Sequence, residues 1–169
     1  MKLSRIWTIA CALALLAPIQ AGAAITCTAS STTINFGAFN VLAGNTVAGS
    51  GSMRVTCVSV GAPTTTVTYI ASLSTGSSRQ MAPPSGTDRV AYEIYLDPGH
   101  TQMWGDGTGG TFTISGTLRV RANRTARSRP INYYGLITPG GQDVSASAPT
   151  SPTTYSQTMV VTVTCSPNC

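Results

Sequence analysis

Met159-Val160-Val161-Thr162-Val163-Thr164-Cys165 alternates without a break: Met159, Val161, Val163 and Cys165 fall on one side, Val160, Thr162 and Thr164 on the other. A period of two in β-branched residues is the pattern of a strand with one face on a core. The same pattern recurs upstream. Met53, Val55 and Cys57 alternate with Arg54, Thr56 and Val58, and Tyr92, Ile94 and Leu96 share one side of Val90 to Leu96. Thr32 to Phe36 alternates and stops at Gly37; Val67 to Leu73 and Ile131 to Ile137 are rich in β-branched and aromatic residues. Phe112 and Ile114 alternate with Thr111, Thr113 and Ser115, and Leu118 to Val120 continues after Gly116. No stretch after the leader has a helical period, and Gly and Pro punctuate the chain between the runs. About six to eight short strands at this spacing predict an all-β, immunoglobulin-like antiparallel sandwich.

The leader sets the compartment. Lys2 and Arg5 precede an apolar run from Ile6 to Ile19, and Ala21-Gly22-Ala23 supplies small residues for cleavage. The run is too short to span a bilayer, so residues 1–23 read as a secretory signal peptide and 24–169 as a single exported domain. With no second apolar segment, membrane insertion is not expected. Periplasmic transit and then the cell surface or the medium is the expected location.

The exported chain, roughly 146 residues long, is sufficient for one core. The net charge of +5 includes Lys2 and Arg5. Removing them leaves eight arginines against five acids, a balance of about +3 that does not point to nucleic acid. Ser, Thr and Gly are abundant, as in an extracellular β-protein whose outer faces carry hydroxyls in place of charges.

Cys11 leaves with the leader, and Cys27, Cys57, Cys165 and Cys169 remain. An even number in an exported chain points to disulfides. Four cysteines allow three pairings, among which the sequence does not choose; the expectation is Cys27–Cys57 and Cys165–Cys169. Zinc is the competing reading, but there is no CxxC pair and one histidine in the whole chain.

Tyr95 to Gly110, YLDPGHTQMWGDGTGG, gathers His100, Asp97, Asp106 and Trp104. His100 as general base oriented by Asp97 or Asp106 is the enzymatic reading, and Glu93 with Asp97 is a conceivable carboxylate pair. There is no G-x-S-x-G elbow and no phosphate cradle, and the cysteines are better explained as disulfides than as nucleophiles. Asp97-Pro98-Gly99 and Gly105-Asp106-Gly107 are turn signals, so the stretch reads as a structural loop with Trp104 holding it to the sandwich. No catalytic residue, cofactor or metal is assigned. Arg119, Arg121, Arg124, Arg127 and Arg129 form a second concentration; Arg119, Arg121 and Arg124 are candidates for a surface contact with an acidic partner. Arg119 and Arg121 share a strand face, and the rest read as a polar connection. Asn123-Arg124-Thr125 matches a glycosylation sequon.

Several of these elements occur in a familiar order: Cys27, Ile34-Asn35-Phe36-Gly37, Met53-Arg54-Val55-Thr56-Cys57, Tyr92 to Leu96, Trp104-Gly105-Asp106-Gly107, Tyr134-Gly135 and the Val160 to Thr164 strand. From Thr26 to Thr164 the chain resembles the spore coat protein U domain, the subunit family of archaic chaperone–usher pili. The resemblance implies a Cys27–Cys57 pair and a sandwich lacking one strand, completed by a periplasmic pilus chaperone and then by a neighbouring pilus subunit at an outer-membrane usher. Met159, Val161 and Val163 are then the expected donor-strand or chaperone contacts. The chain departs from the polymerising pattern before Cys27, where cleavage leaves Ala24-Ile25-Thr26 and no donor segment, which suits a terminal subunit. It departs again at Cys165-Ser166-Pro167-Asn168-Cys169, where relatives end in an aromatic residue. The alternative is a self-sufficient periplasmic or extracellular β-sandwich binding module.

Overall fold

The computed structural model describes residues 24–61, 63–74, 79–122, 126–144, 153–167 and 169. The leader, Arg124 with its sequon and most of the Ser/Ala/Pro-rich connection after Gly140 lie outside the described residues. Among the described residues nine strands follow one another: β1 (Ala24–Ser31), β2 (Val47–Val60), β3 (Thr65–Leu73), β4 (Gln80–Met81), β5 (Val90–Ala91), β6 (Glu93–Tyr95), β7 (Ile114–Val120), β8 (Arg127–Ile137) and β9 (Val161–Ser166). One 3-10 turn, Val41–Ala43, is capped by the Asn40 side chain. Two antiparallel sheets, ordered β1-β2-β8-β6 and β7-β3-β9, make the sandwich, with β4 and β5 as a small separate pair.

The period-two residues form the core. Met53, Val55 and Cys57 of β2, Val67, Tyr69, Ala71 and Leu73 of β3, and Tyr92, Ile94, Trp104, Ile114, Val120, Tyr133 and Ile137 are all buried. Their alternating partners face outward, as a sheet packed on one side requires.

Four local expectations are corrected. Thr32 to Phe36 keeps its alternation, with Ile34 and Phe36 half-buried, but joins no ladder. The β1–β2 ladder ends at Ser31↔Met53, one backbone bond beyond it links Thr32 to Ser52, and the chain then leaves the sheet. The first strand lies instead at Ala24–Ser31. Val90 to Leu96 is split between β5 and β6, which pair in different sheets. Arg127 and Arg129, read as connection, belong to β8 opposite Cys57 and Val55. Pro130 also lies inside β8, because β6 pairs β8 only at Tyr134–Leu136 and leaves its first half as an edge, where a missing N–H is tolerated.

Glycines on β2 and β8 shape the interior. Gly49 and Gly135 are directly opposed, and a Cβ on either would lie 2.7 Å from the Ile34 side chain or 2.5 Å from the Phe36 ring. The Ile34-Asn35-Phe36 segment thus rests on bare backbone. Gly51 makes the same allowance for the Tyr133 ring, whose hydroxyl donates to the Thr32 carbonyl.

Candidate functional site

The two sides of the sandwich are finished differently. Beside β6 and β7, the connection 96–113 bonds the sheets together: the Trp104 amide donates to Ile94 at 2.8 Å, and the Leu73 amide donates to Gly105 at 3.0 Å. Trp104 is 1% exposed, its Nε1–H donates to the Ala71 carbonyl at 3.2 Å, and its ring lies 5.4 Å from that of Tyr133. The Arg79 guanidinium, itself buried, donates to the Trp104 carbonyl and to Glu93 Oε2, the latter at 2.6 Å. Trp104 therefore holds the loop down by joining the two layers.

On the opposite side, the edge strands β1 and β9 face each other in different sheets and share no ladder. At one end they are close: the Sγ atoms of Cys27, Cys165 and Cys169 lie within 4.8 Å of one another. Cys27 is bonded to Cys57, its direct partner on β2, and Cys165 to Cys169. As disulfides these sulfurs are not thiolate ligands for a metal.

Away from the cystines the edges part. Along the inward side of β1, Ile25 is buried, Cys27 half-buried, and Ala29 and Ser31 exposed. On the facing edge, Tyr155, Gln157, Met159, Val161, Val163 and Cys165 alternate with exposed residues, yet each is only partly covered. In neighbouring β3 the corresponding positions, Val67, Tyr69, Ala71 and Leu73, are at most 2% exposed. A face with strand periodicity and incomplete cover lacks a neighbour on one side.

The gap opens into a cavity of about 300 Å³. One wall runs from Ser31 to Phe36, the other from Tyr155 to Val161, and Leu73, Met81, Tyr92, Ile94, Trp104 and Tyr133 form the floor. An apolar cavity of about 150 Å³ holds a benzene ring, so there is room here for two bulky side chains. Ser156 exchanges backbone bonds with Ala82, and Ser74 donates to the Val160 carbonyl, which fixes the second wall.

Of the three expected contact residues, Met159 and Val161 line this cavity; Val163 packs on the core nearer the cystines and does not. Ile34, Phe36 and Tyr155 were not expected there. Their alternation was visible in the sequence, since Tyr155 and Gln157 extend the Met159 to Cys165 period backwards. Their position opposite β9 depends on where β1 ends.

The other candidate residues lie elsewhere. His100 stacks edge-on against Tyr95 at 5.1 Å with φ of 55°, and its amide donates to the Asp97 carbonyl at 3.1 Å. The Asp97 carboxylate accepts from the Gln102 amide at 2.7 Å and from the Thr101 amide and hydroxyl. Those bonds, the Gln102 amide first, hold its carboxyl below the usual carboxylate range. Asp106 binds Thr108 within its own turn, and Glu93 binds Arg79. Neither Asp97 nor Asp106 is thus placed to orient His100, and the proposed Glu93–Asp97 pair is divided between separate partners. Arg119 and Arg121 are both exposed on the outer side at the end of β7.

An immunoglobulin-like all-β sandwich with one side bonded shut and the other open along an apolar cleft defines the class of this protein. Its sequence matches the Spore Coat Protein U domain model over residues 14–164, and the chain belongs to that family. The family is one of structural subunits of chaperone–usher pili and coats, exported to the cell surface. No individual curated protein matches the chain. Among the described residues, no helix is long and apolar enough to cross a membrane.

Proposed function

We propose that this chain is a secreted structural subunit of a chaperone–usher surface fibre or coat, assembled by accepting a strand between β1 and β9. The carrying observation is the incompletely covered face from Tyr155 to Cys165 beside an unfilled apolar cavity. An inserted strand would bond to the free edge of β9 and lower alternate apolar side chains onto Leu73, Ile94 and Trp104. In this reading a periplasmic chaperone fills the cleft first, and a neighbouring subunit replaces it at an outer-membrane usher. Met159 and Val161 contact the inserted side chains, and Val163 sits at the narrow end.

A terminal position is supported by β1. Cleavage after Ala23 leaves Ala24 as the first residue, and Ala24–Ser31 is wholly taken up in the ladder with β2. In this reading Ala24–Ser31, held along its length by β2, is not itself free to complement a neighbour. The close approach of β1 and β9 at the cystine end favours the second reading, a self-sufficient binding module.

Export of the chain to a periplasm with and without its chaperone separates the two. The expected result is soluble protein with one cooperative thermal transition only when the chaperone is present. A monodisperse chain that unfolds sharply on its own would exclude the strand-accepting role.

A further inference from the structure

The charges of the exported chain are sorted along the sandwich. All five acids lie either between β4 and the end of the connection after β6 or beyond β8, with Arg79 and Arg89 nearby: Asp88, Glu93, Asp97, Asp106 and Asp143. Arg119, Arg121, Arg127 and Arg129 lie where β7 ends and β8 begins, around the crossing from one sheet to the other. Register places that corner beside the cystines: Val120 opposes Thr65, Arg127 opposes Cys57 and Arg129 opposes Val55. It is thus the pole away from the wide part of the cleft, which is walled by Ser31 to Phe36 and Tyr155 to Val161. Arg119 and Arg121 are exposed on the outer side at the end of β7, whereas Arg127, half-buried, and Arg129, exposed, leave the other side of the corner from the core-facing side of β8. The ion pair seen among the described residues is Arg79–Glu93, so none of these four guanidiniums is neutralised by a carboxylate there.

We propose that this arginine corner is an adhesive surface for a linear acidic polysaccharide. The guanidinium fork pairs with carboxylate and sulfate oxygens in two parallel hydrogen bonds, and the chain's one lysine, Lys2, lies in the leader. Hydroxyls flank Arg119 and Arg121, with Thr66 and Thr117 exposed on the outer face of β7 and its partner β3, as suits a hydrated glycan. A lipid surface is a poorer match: among the described residues the exposed large apolar ones are Leu42, Val60, Ile70, Phe112 and Val160, none is on β7 or β8, and Val60 alone, ending β2, lies at this pole. Nucleic acid is a poorer match because no exposed aromatic ring stands among the arginines to stack on bases. A second copy of the chain is disfavoured because much of its acidic region is internally engaged, Glu93 by Arg79 and Asp97 and Asp106 by their own turns.

The test uses the full exported chain in whichever soluble form it is isolated, alone or with its chaperone, because the corner lies outside the cleft. Binding to immobilised heparin, neutral dextran, anionic phospholipid vesicles and double-stranded DNA is measured at rising salt. The expected result is retention on heparin alone at 0.15 M salt, lost as salt approaches 1 M, where the screening length shrinks to about 3 Å. The variant Arg119→Gln/Arg121→Gln/Arg127→Gln/Arg129→Gln is expected to bind heparin at least tenfold more weakly. Arg89→Gln, at the acidic pole, should bind as the wild type does. Should the four-fold variant misfold by circular dichroism, Arg119→Gln/Arg121→Gln on the exposed outer side of β7 carries the comparison, with an expected loss of at least threefold. Equal binding by variant and wild type, tighter binding to vesicles or DNA, or retention explained by self-association overturns the proposal. Each of these outcomes leaves the strand-accepting role standing, since none depends on the cleft being filled.

Discussion

At the scale of single residues, glycine does what a side chain usually does in a sandwich. The Gly49–Gly135 pair leaves a bare patch on the inner face of the first sheet, and Ile34 and Phe36 descend onto it from a segment with no ladder of its own. Phe36 also meets Tyr92, ring to ring at 5.8 Å, so one residue ties the first wall of the cleft to its floor. Gly135→Ala would put a methyl group 2.5 Å from the Phe36 ring, in a layer that cannot yield without displacing Tyr92. The expected cost is about 1–3 kcal/mol, the usual range for overpacking, read as a lower denaturant midpoint at unchanged m-value. Gly140→Ala, with nothing within 4 Å of its Cβ, is the matched control and should change little.

At the scale of elements, the sequence revealed strands where one face carries its own apolar residues. Met53 to Val58, Val67 to Leu73 and Ile131 to Ile137 were legible for that reason. Val47 to Ser52 was not, because Gly49 and Gly51 face inward there and residues distant in sequence fill the space. Thr32 to Phe36 misled in the opposite sense: its alternation reflects packing onto glycines, not pairing. Arg127 and Arg129 looked like connection because charge and Pro130 signal solvent, and a half-unpaired edge strand meets that description. Half of the cleft was legible, the half on β9; the other wall depended on the end of the β1–β2 ladder. That ladder carries a further prediction. Cys27 and Cys57 are directly opposed, 30 residues apart in sequence, and the bond holds the edge strand β1 on its sheet. Cys27→Ser/Cys57→Ser should lower stability by about 3–4 kcal/mol on the chain-entropy model. Native-state hydrogen exchange should show the Ala24–Ser31 amides losing protection before those of β3. Equal protection in both strands would mean that β1 is held by something other than the cystine.

At the scale of the whole molecule, the sandwich is asymmetric by construction. One side is bonded shut by Trp104 and Gly105, and the other is pinned at the cystines and opens toward Met159. The open side presents the free backbone edge of β9 together with apolar floor, a combination that invites pairing with any extended chain. A strand supplied in cis should therefore be taken up. Extended after Cys169 through a short polar turn, a segment of about a dozen residues would span the β9 edge and the Tyr155 to Val160 wall at ~3.3 Å per residue. With apolar residues at alternate positions it would cover the half-exposed faces of Met159, Val161 and Val163. Each buried aliphatic side chain contributes about 1.5–3 kcal/mol before ordering costs, and a net gain near 3 kcal/mol corresponds to roughly 6–12 °C in a domain of this size. The expected outcome is a rise of that order in Tm, with solubility no longer dependent on a chaperone. A second version of the same strand, with serine at the apolar positions, keeps the backbone bonds but not the side chains that fill the cavity, and should give less than a third of the rise. If both versions leave Tm unchanged, the cleft between β1 and β9 does not accept a strand, and the chain is complete as it folds.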